Sequence, residues 1–286
     1  MFKFFANIFG YALNFIYGIV NNYGIAIILF TILLKLIMLP ISIKQQKTMK
    51  KSTKIQAQVK EIQDKYKNDP TRMNQEVMDL YKRENMSPFS GCLSSILQII
   101  LVISMFYLVS SPLTYMKHVE PELISQYTQE LQEKEGNTNY KEIGIIRMKS
   151  AEDERVNINM DFLGLNLSAV PSQNYKDWKV FIIPVLYVIT SFISTRITTN
   201  MNKSKNKEEK SQVKADTKEL VKKNDAEEEI DMMEEMNKNM AIMMPLMTVS
   251  IALIAPLGLA LYWLINNIFM LGERIIINKV CKSEEE

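Results

Sequence analysis

The chain is short of the residues that most chemistry needs. Among 286 residues there are two cysteines, Cys92 and Cys281, and one histidine, His118. The cysteines stand far apart, in neither a metal-binding nor a redox spacing, and give no disulfide framework. His118 lies in a polar loop, where a solvated histidine is the simplest reading. No phosphate-binding glycine loop, zinc motif or nucleophile elbow occurs. These absences speak against an enzyme, a bound metal and a cofactor. The formal net charge of +2 is small, and the mean hydropathy of -0.05 is near neutral. Both are averages of opposites. Long apolar runs alternate with loops dense in Lys and Glu, the pattern of a membrane protein.

The first long run, Tyr23 to Ile43, contains one charge, Lys35. About 20 apolar residues suffice to cross a bilayer. A lysine at the centre of such a helix costs roughly 2.5–3.5 kcal/mol on insertion scales. No acid lies in the run to neutralise it. A cation so placed faces a bundle interior or a wet cavity. Gly24, Thr31, Lys35 and Ser42 fall in one narrow helical sector, opposite Ile, Leu and Phe. The alternative is a stem that snorkels to headgroups eight residues away. It accounts less well for a polar stripe that continues above and below the lysine.

Four further apolar segments follow. Cys92–Val109 and Trp178–Ile197 are the next two. The run from Ala241 to Ile277 is too long for one crossing and splits at Pro256 into 241–254 and 257–277. Loop charge sets the orientation. Residues 44–88 carry eleven Lys/Arg against six acids, and 113–177 carry seven against eleven. The positive-inside rule places the first of these in the cytoplasm. The expected organisation begins with an outer interfacial amphipathic helix at 1–22 and span one at 23–43. A cytoplasmic helical hairpin at 44–88, span two at 89–112 and an extracellular loop at 113–177 follow. Then come span three at 178–197, a cytoplasmic loop at 198–239, spans four and five at 240–277, and a cytoplasmic tail at 278–286. The N-terminus is outside and the C-terminus inside. Residues 2–20 are apolar enough to span, but Lys3, Asn7, Gly10, Asn14, Gly18 and Asn21 share a sector, which favours lying in the interface. No small-x-small cleavage site precedes Asn21, so a secretory signal is disfavoured.

Residues 44–68 read as a helix with a thin seam of Ile55, Val59, Ile62 and Tyr66. Asp69 can cap a second helix with Pro70 at its first position, and Met73, Val77 and Leu80 form the facing seam. The two make an antiparallel hairpin. Its candidate functional residues are Tyr66, Asp69, Pro70 and Tyr81. Residues 200–224 are poor in apolar groups and are expected to be partly disordered. Seven methionines between Met232 and Met247 form either ordinary packing or a deformable client surface, and packing is the simpler reading.

Each remaining span also carries a polar sector: Ser94 and Gln98 in the second, Ser191, Ser194 and Thr195 in the third, Tyr262, Trp263, Asn266 and Glu273 in the fifth. Such groups need partners or water in hydrocarbon. One wet cavity on the cytoplasmic side, containing Lys35, would serve them all. Hydroxyls bonded across packed helices are the structural alternative.

Several stretches, in order, resemble the YidC/Oxa/Alb membrane protein insertases. They are LFTILLKLIMLPISIKQQKTMKKSTKIQ, KYKNDPTRMNQEVMDLYKRENMSP, SGCLSSILQ and PLGLALYWLINNIF, with FLGLNL and IIPVLYVITSF before and within span three. The resemblance implies an all-α membrane protein with five transmembrane helices around a cytoplasm-open hydrophilic groove. It implies insertion and folding of integral membrane proteins in the bacterial plasma membrane. Implied partners are nascent membrane proteins and the lipid bilayer. The Sec translocon, ribosome and signal-recognition components are further candidates, and no small-molecule substrate is implied. This chain departs from the family pattern in places. Lys35 stands where Arg is usual, Ala57 and Ser94 where Pro is usual, Ser194-Thr195 where a Gln pair is frequent, and Glu273 where Gln is common. The tail ends Ser-Glu-Glu-Glu where some relatives carry a basic one. No large folded domain precedes span one, which fits the form of single-membrane, Gram-positive bacteria. A secondary transporter and a passive assembly scaffold are the rival readings. A transporter would place its site in broken helices of repeated halves, and no internal repeat is visible.

Overall fold

The computed structural model describes residues 1–86, 90–136, 139–197 and 250–283. The 198–239 loop, the methionine cluster and most of the expected fourth span lie outside the described residues. Helix α1 covers Phe2–Val20 and stops at Asn21, which takes a left-handed conformation (φ 48°) and returns its N–H to the Tyr17 carbonyl. Asn tolerates that conformation through its short polar side chain. The next residue, Asn22, starts α2 by accepting the Ile25 N–H on its side chain at 3.1 Å. Two adjacent asparagines thus end one helix and begin the next.

Helix α2 runs without a break over Tyr23–Lys65, 43 residues with Pro40 inside. At 1.5 Å per residue it is about 65 Å long, roughly twice the hydrocarbon thickness of about 30 Å. The boundary expected between residues 43 and 44 therefore falls inside one helix. Lys, Gln and Met after Ile43 are good helix formers and offer no stop signal. Asp69 then caps α3, Pro70–Arg83, by accepting the Arg72 N–H at 3.0 Å. Among the described residues, Ile55 and Leu80 are the buried apolar contacts of this hairpin, and Lys51 closes it on Glu84, on the carbonyl and on the carboxylate at 3.4 Å. The rest of both seams is only half-buried.

After α4, Ser90–Ser110, the chain forms a cap of its own. It consists of α5 (Pro112–Tyr115), α6 (Pro121–Glu135), α7 (Lys141–Lys149) and a two-stranded antiparallel ladder. Strand β1 (Asp161–Phe162) pairs with β2 (Leu165–Asn166), Asp161 opposite Asn166. The two-residue turn between the strands, Leu163-Gly164, has positive φ at both positions, as a tight hairpin of this hand requires. Leu131, Ile143, Ile145, Ile146, Val156 and Leu167 bury into the same core as the helix ends. Charge counting describes this segment only as an acidic loop, because its apolar residues are spread over short elements without a long period.

Helix α8, Trp178–Ile197, opens with a 3-10 turn at Trp178–Phe181. Helix α9, Leu257–Ser283, follows the helical residues 250–254. Phe2–Val20, Tyr23–Gln45 and Trp178–Ile197 are long and apolar enough to cross a membrane, and Ile99–Ser110 and Leu257–Glu273 are apolar segments within α4 and α9. Helix α1 packs Ala6, Gly10, Leu13 and Tyr17 inward. Gly10 is required there: a Cβ would stand 1.7 Å from the Tyr115 carbonyl oxygen. Phe4, Ile8, Tyr11, Phe15 and Ile19 form an exposed apolar stripe on another side, with Lys3 and Asn7 exposed between the two. The described chain is a helical membrane protein with a folded cap at one end and a hairpin at the other.

Glu142 holds the cap together. Its carboxylate accepts from the Leu113 and Thr114 N–H groups at 2.7 and 3.0 Å and from the Thr114 hydroxyl at 2.6 Å. Burial pushes its pKa up, and the hydrogen bonds from Thr114 and Leu113 oppose the shift. With the folded pKa raised above the unfolded value, the contribution is full below the unfolded pKa and is lost as pH rises through the folded one. Glu142→Ala is expected to loosen the cap by about 1–3 kcal/mol, since two backbone donors lose their acceptor. Glu142→Gln should keep the acceptor and flatten the pH dependence. Limited proteolysis of residues 113–177 against pH reads both. Deleting residues 50–83 across a Gly/Ser bridge should leave the melting temperature of the remaining bundle unchanged, because the hairpin buries so little.

Candidate functional site

Helices α2 and α9 start side by side, with Gly258 against the Tyr23 ring (a Cβ there would meet Cε1 at 3.5 Å). Both then run in the same direction. Lys35 is twelve residues beyond Tyr23 and Glu273 fifteen beyond Gly258, or about 18 and 22 Å along their axes. Two long side chains cover the difference. Lys35 Nζ lies 3.6 Å from Glu273 Oε2, and the side chains are 20% and 13% exposed. Lys35 lacks an acid in its own span, but the last helix of the chain supplies one. Neighbour-free reading of the first apolar run cannot find it, because the partner is remote in sequence.

The pair is incomplete. At 3.6 Å it is an electrostatic contact beyond ordinary hydrogen-bond length. An ammonium has three donors and a carboxylate about four lone-pair sites, and Glu273 Oε1 is buried without a hydrogen-bond partner. A half-satisfied charged pair in a partly dry site leaves capacity for another polar group.

The other candidates divide into two kinds. Tyr262 and Asn266 occupy the Glu273 face of α9, the first buried and the second half-buried, with Trp263 half-buried beside them. The hydroxyls behave differently. Thr31 is 1% exposed and donates to the Ile27 carbonyl of its own helix at 2.7 Å. Thr195 donates likewise to the Ser191 carbonyl at 2.9 Å. Ser194 is buried and Ser191 half-buried. Such back-bonding satisfies a hydroxyl within its own helix and demands no cavity. Gly24, on the same sector as Lys35, makes room for the Phe162 ring, which a Cβ would meet at 2.5 Å. The side chains of Ser94 and Gln98 lie outside the described residues.

Two polar residues outside the main candidate set join the helices. Asn267 Nδ2 donates to Thr190 Oγ1 at 3.3 Å, tying α9 to α8. Thr190 precedes Ser194 by four residues, so the i, i+4 spacing was the available signal. At the hairpin, Tyr66 lies under two cations, Lys65 Nζ at 5.2 Å and the Arg72 guanidinium at 5.1 Å from the ring centroid. Pro70 occupies the first turn of α3 behind the Asp69 cap, and Tyr81 is half-buried. Cysteines placed at 31 and 266 should separate the two kinds of polar position. Position 266 is expected to react with a small polar maleimide in native membranes, and position 31 to stay protected. Equal labelling at both would contradict this placement.

Comparison with known proteins fits this geometry. The family model described as 60Kd inner membrane protein matches residues 15–285. Among curated proteins, the chain is 42% identical over 96 residues to the membrane protein insertase YidC of Rickettsia prowazekii, covering 34% of this chain and 17% of that protein. It is 41% identical over 101 residues to the protein of the same name from Granulibacter bethesdensis, covering 35% and 18%. It is 39% identical over 109 residues to that of Francisella tularensis subsp. novicida, covering 38% and 20%. The chain thus spans a fifth or less of the length of these relatives. A match that runs from residue 15 to residue 285 is nonetheless nearly the whole of this sequence, and the chain belongs to the 60Kd inner membrane protein family.

Proposed function

We propose that this chain is a membrane protein insertase that inserts and helps fold integral membrane proteins in the bacterial plasma membrane. The observation that carries the reading is the incompletely satisfied Lys35–Glu273 pair at matching depth on two neighbouring helices. A buried charge of no use would be selected against at a cost of roughly 2.5–3.5 kcal/mol. The names of the relatives support the same reading.

In this reading Lys35, Glu273, Asn266, Tyr262 and Trp263 line the working side of a hydrophilic groove open to the cytoplasm. The α8 hydroxyls border it. The groove replaces part of the water around a client's polar segment and so lowers the barrier to crossing. No covalent step is involved. The client's apolar segment partitions into lipid, and that burial supplies the driving force. The basic hairpin lies in the cytoplasm, where its eleven Lys/Arg suit signal-recognition components or the ribosome. The cap at 113–177 and the N-terminus lie outside, with α1 in the outer interface, and the C-terminus is cytoplasmic. The Sec translocon is a further partner.

The test uses the purified full chain in proteoliposomes with a single-span client bearing an acidic translocated tail. Protease protection of the tail reads insertion. Lys35→Arg should retain it, and Lys35→Gln should lower it by about 2- to 5-fold, the worth of a partly exposed charge pair. Lys35→Glu should lose most of it, because it sets two carboxylates together. Insertion by Lys35→Gln equal to that of the parent would remove the charge from the mechanism. Flux of a small solute through the same vesicles would favour a transporter, and insertion indifferent to every groove substitution would favour a passive scaffold.

A further inference from the structure

Glu273 has no role in the attraction of acidic tails by Lys35, and it works against that attraction. Its carboxylate already occupies the side of Lys35 that a client carboxylate would take, at 3.6 Å. It is held loosely enough to be displaced, since the contact exceeds hydrogen-bond length and Oε1 is buried without a partner. Displacement has a consequence. A client acid that captures Lys35 leaves Glu273 as an unpaired anion in a largely buried site, facing a second anion. An uncompensated charge of that kind is strongly unfavourable. A basic group on the same client segment removes the penalty by pairing with Glu273.

Resting on the insertase reading, we infer that Glu273 is an internal stand-in for the client's carboxylate, and that the Lys35–Glu273 pair selects polar segments carrying both an acid and a base over purely acidic ones. The guest completes the site by exchange: one internal pair becomes two pairs with the client. A tail with acids alone trades one pair for another and strands Glu273. A neutral tail leaves the internal pair closed. The preference is therefore set by the last helix, α9, and not by Lys35 alone.

The experiment compares three clients identical except for the translocated tail: acidic only, neutral, and mixed Asp/Lys. Each is inserted by the full chain in proteoliposomes, as the parent, as Glu273→Gln, and as the charge-swapped Lys35→Glu/Glu273→Lys. The parent should insert the mixed tail about 2- to 5-fold better than the acidic one, the range of a partly exposed ion pair. Glu273→Gln should raise acidic-tail insertion and abolish that preference. The swapped protein keeps both charges and should keep the mixed preference. This arm also serves if Glu273→Gln melts early. An unchanged ranking of tails in Glu273→Gln, or loss of the mixed preference in a swapped protein of normal melting temperature, would overturn the inference. Failure of the parent to insert any of the three tails would instead overturn the insertase reading, and the inference with it.

Discussion

A charge pair between α2 and α9 is the constraint on which the rest of the molecule depends. A lone Lys35 would be expensive in hydrocarbon, and a lone Glu273 equally so. Together, at 3.6 Å, they are tolerable but not satisfied. The pair can form only if the two helices keep one register over about 20 Å. That register is set at the far end. The Leu257 and Gly258 N–H groups donate to the Ala169 and Leu167 carbonyls at 2.9 Å, and the Tyr23 N–H donates to the Asn159 carbonyl at 3.0 Å. The Asn159 N–H donates to the Tyr17 hydroxyl oxygen at 2.8 Å, and its side-chain amide donates to the Asn21 carbonyl at 3.0 Å. The segment 157–169 thus laces the starts of α2 and α9 into one frame.

The molecule has two mechanically different ends. At the capped end, buried apolar side chains dominate and Glu142 has three donors, while the Tyr23, Ser110 and Ser150 hydroxyls are buried without a partner. At the other end, the Lys35–Glu273 pair has spare capacity, and α2 extends into a hairpin in which Ile55 and Leu80 are buried among the described residues. Rigid elements that position an under-coordinated site are what recognition of varied polar segments needs. The hairpin, with few buried contacts, belongs to the low-stability part of the fold.

Much of this was legible in the order of residues. The apolar runs, the Asp69-Pro70 helix start and the position of Lys35 all follow from local pattern, because helix length, capping and insertion cost are local properties. Three things were not. The continuity of α2 through residue 44 was hidden by the change from apolar to basic composition, which alters solvation and not helix propensity. The cap was hidden because Leu131, Ile143, Val156 and Leu167 sit on short elements that have no period of their own. The shared polar sector was over-read: Thr31 bonds its own helix and Gly24 receives Phe162, so a common sector did not mean a common cavity. Glu273 was visible as a polar residue of α9, but only folding brings it to Lys35.

The central claim is that polar parts of client chains occupy the space between α2 and α9. A photo-crosslinking residue at position 263, beside Asn266 and one helix face from Glu273, tests it most directly against ribosome-bound membrane-protein chains of increasing length. Crosslinks should appear at 263 when the client's polar segment has just emerged, and fade as its apolar segment completes. They should be absent from position 163, at the exposed tip of the β1–β2 turn. Crosslinks at 163 and none at 263 would contradict the account, because the client would then meet the cap and not the charged site.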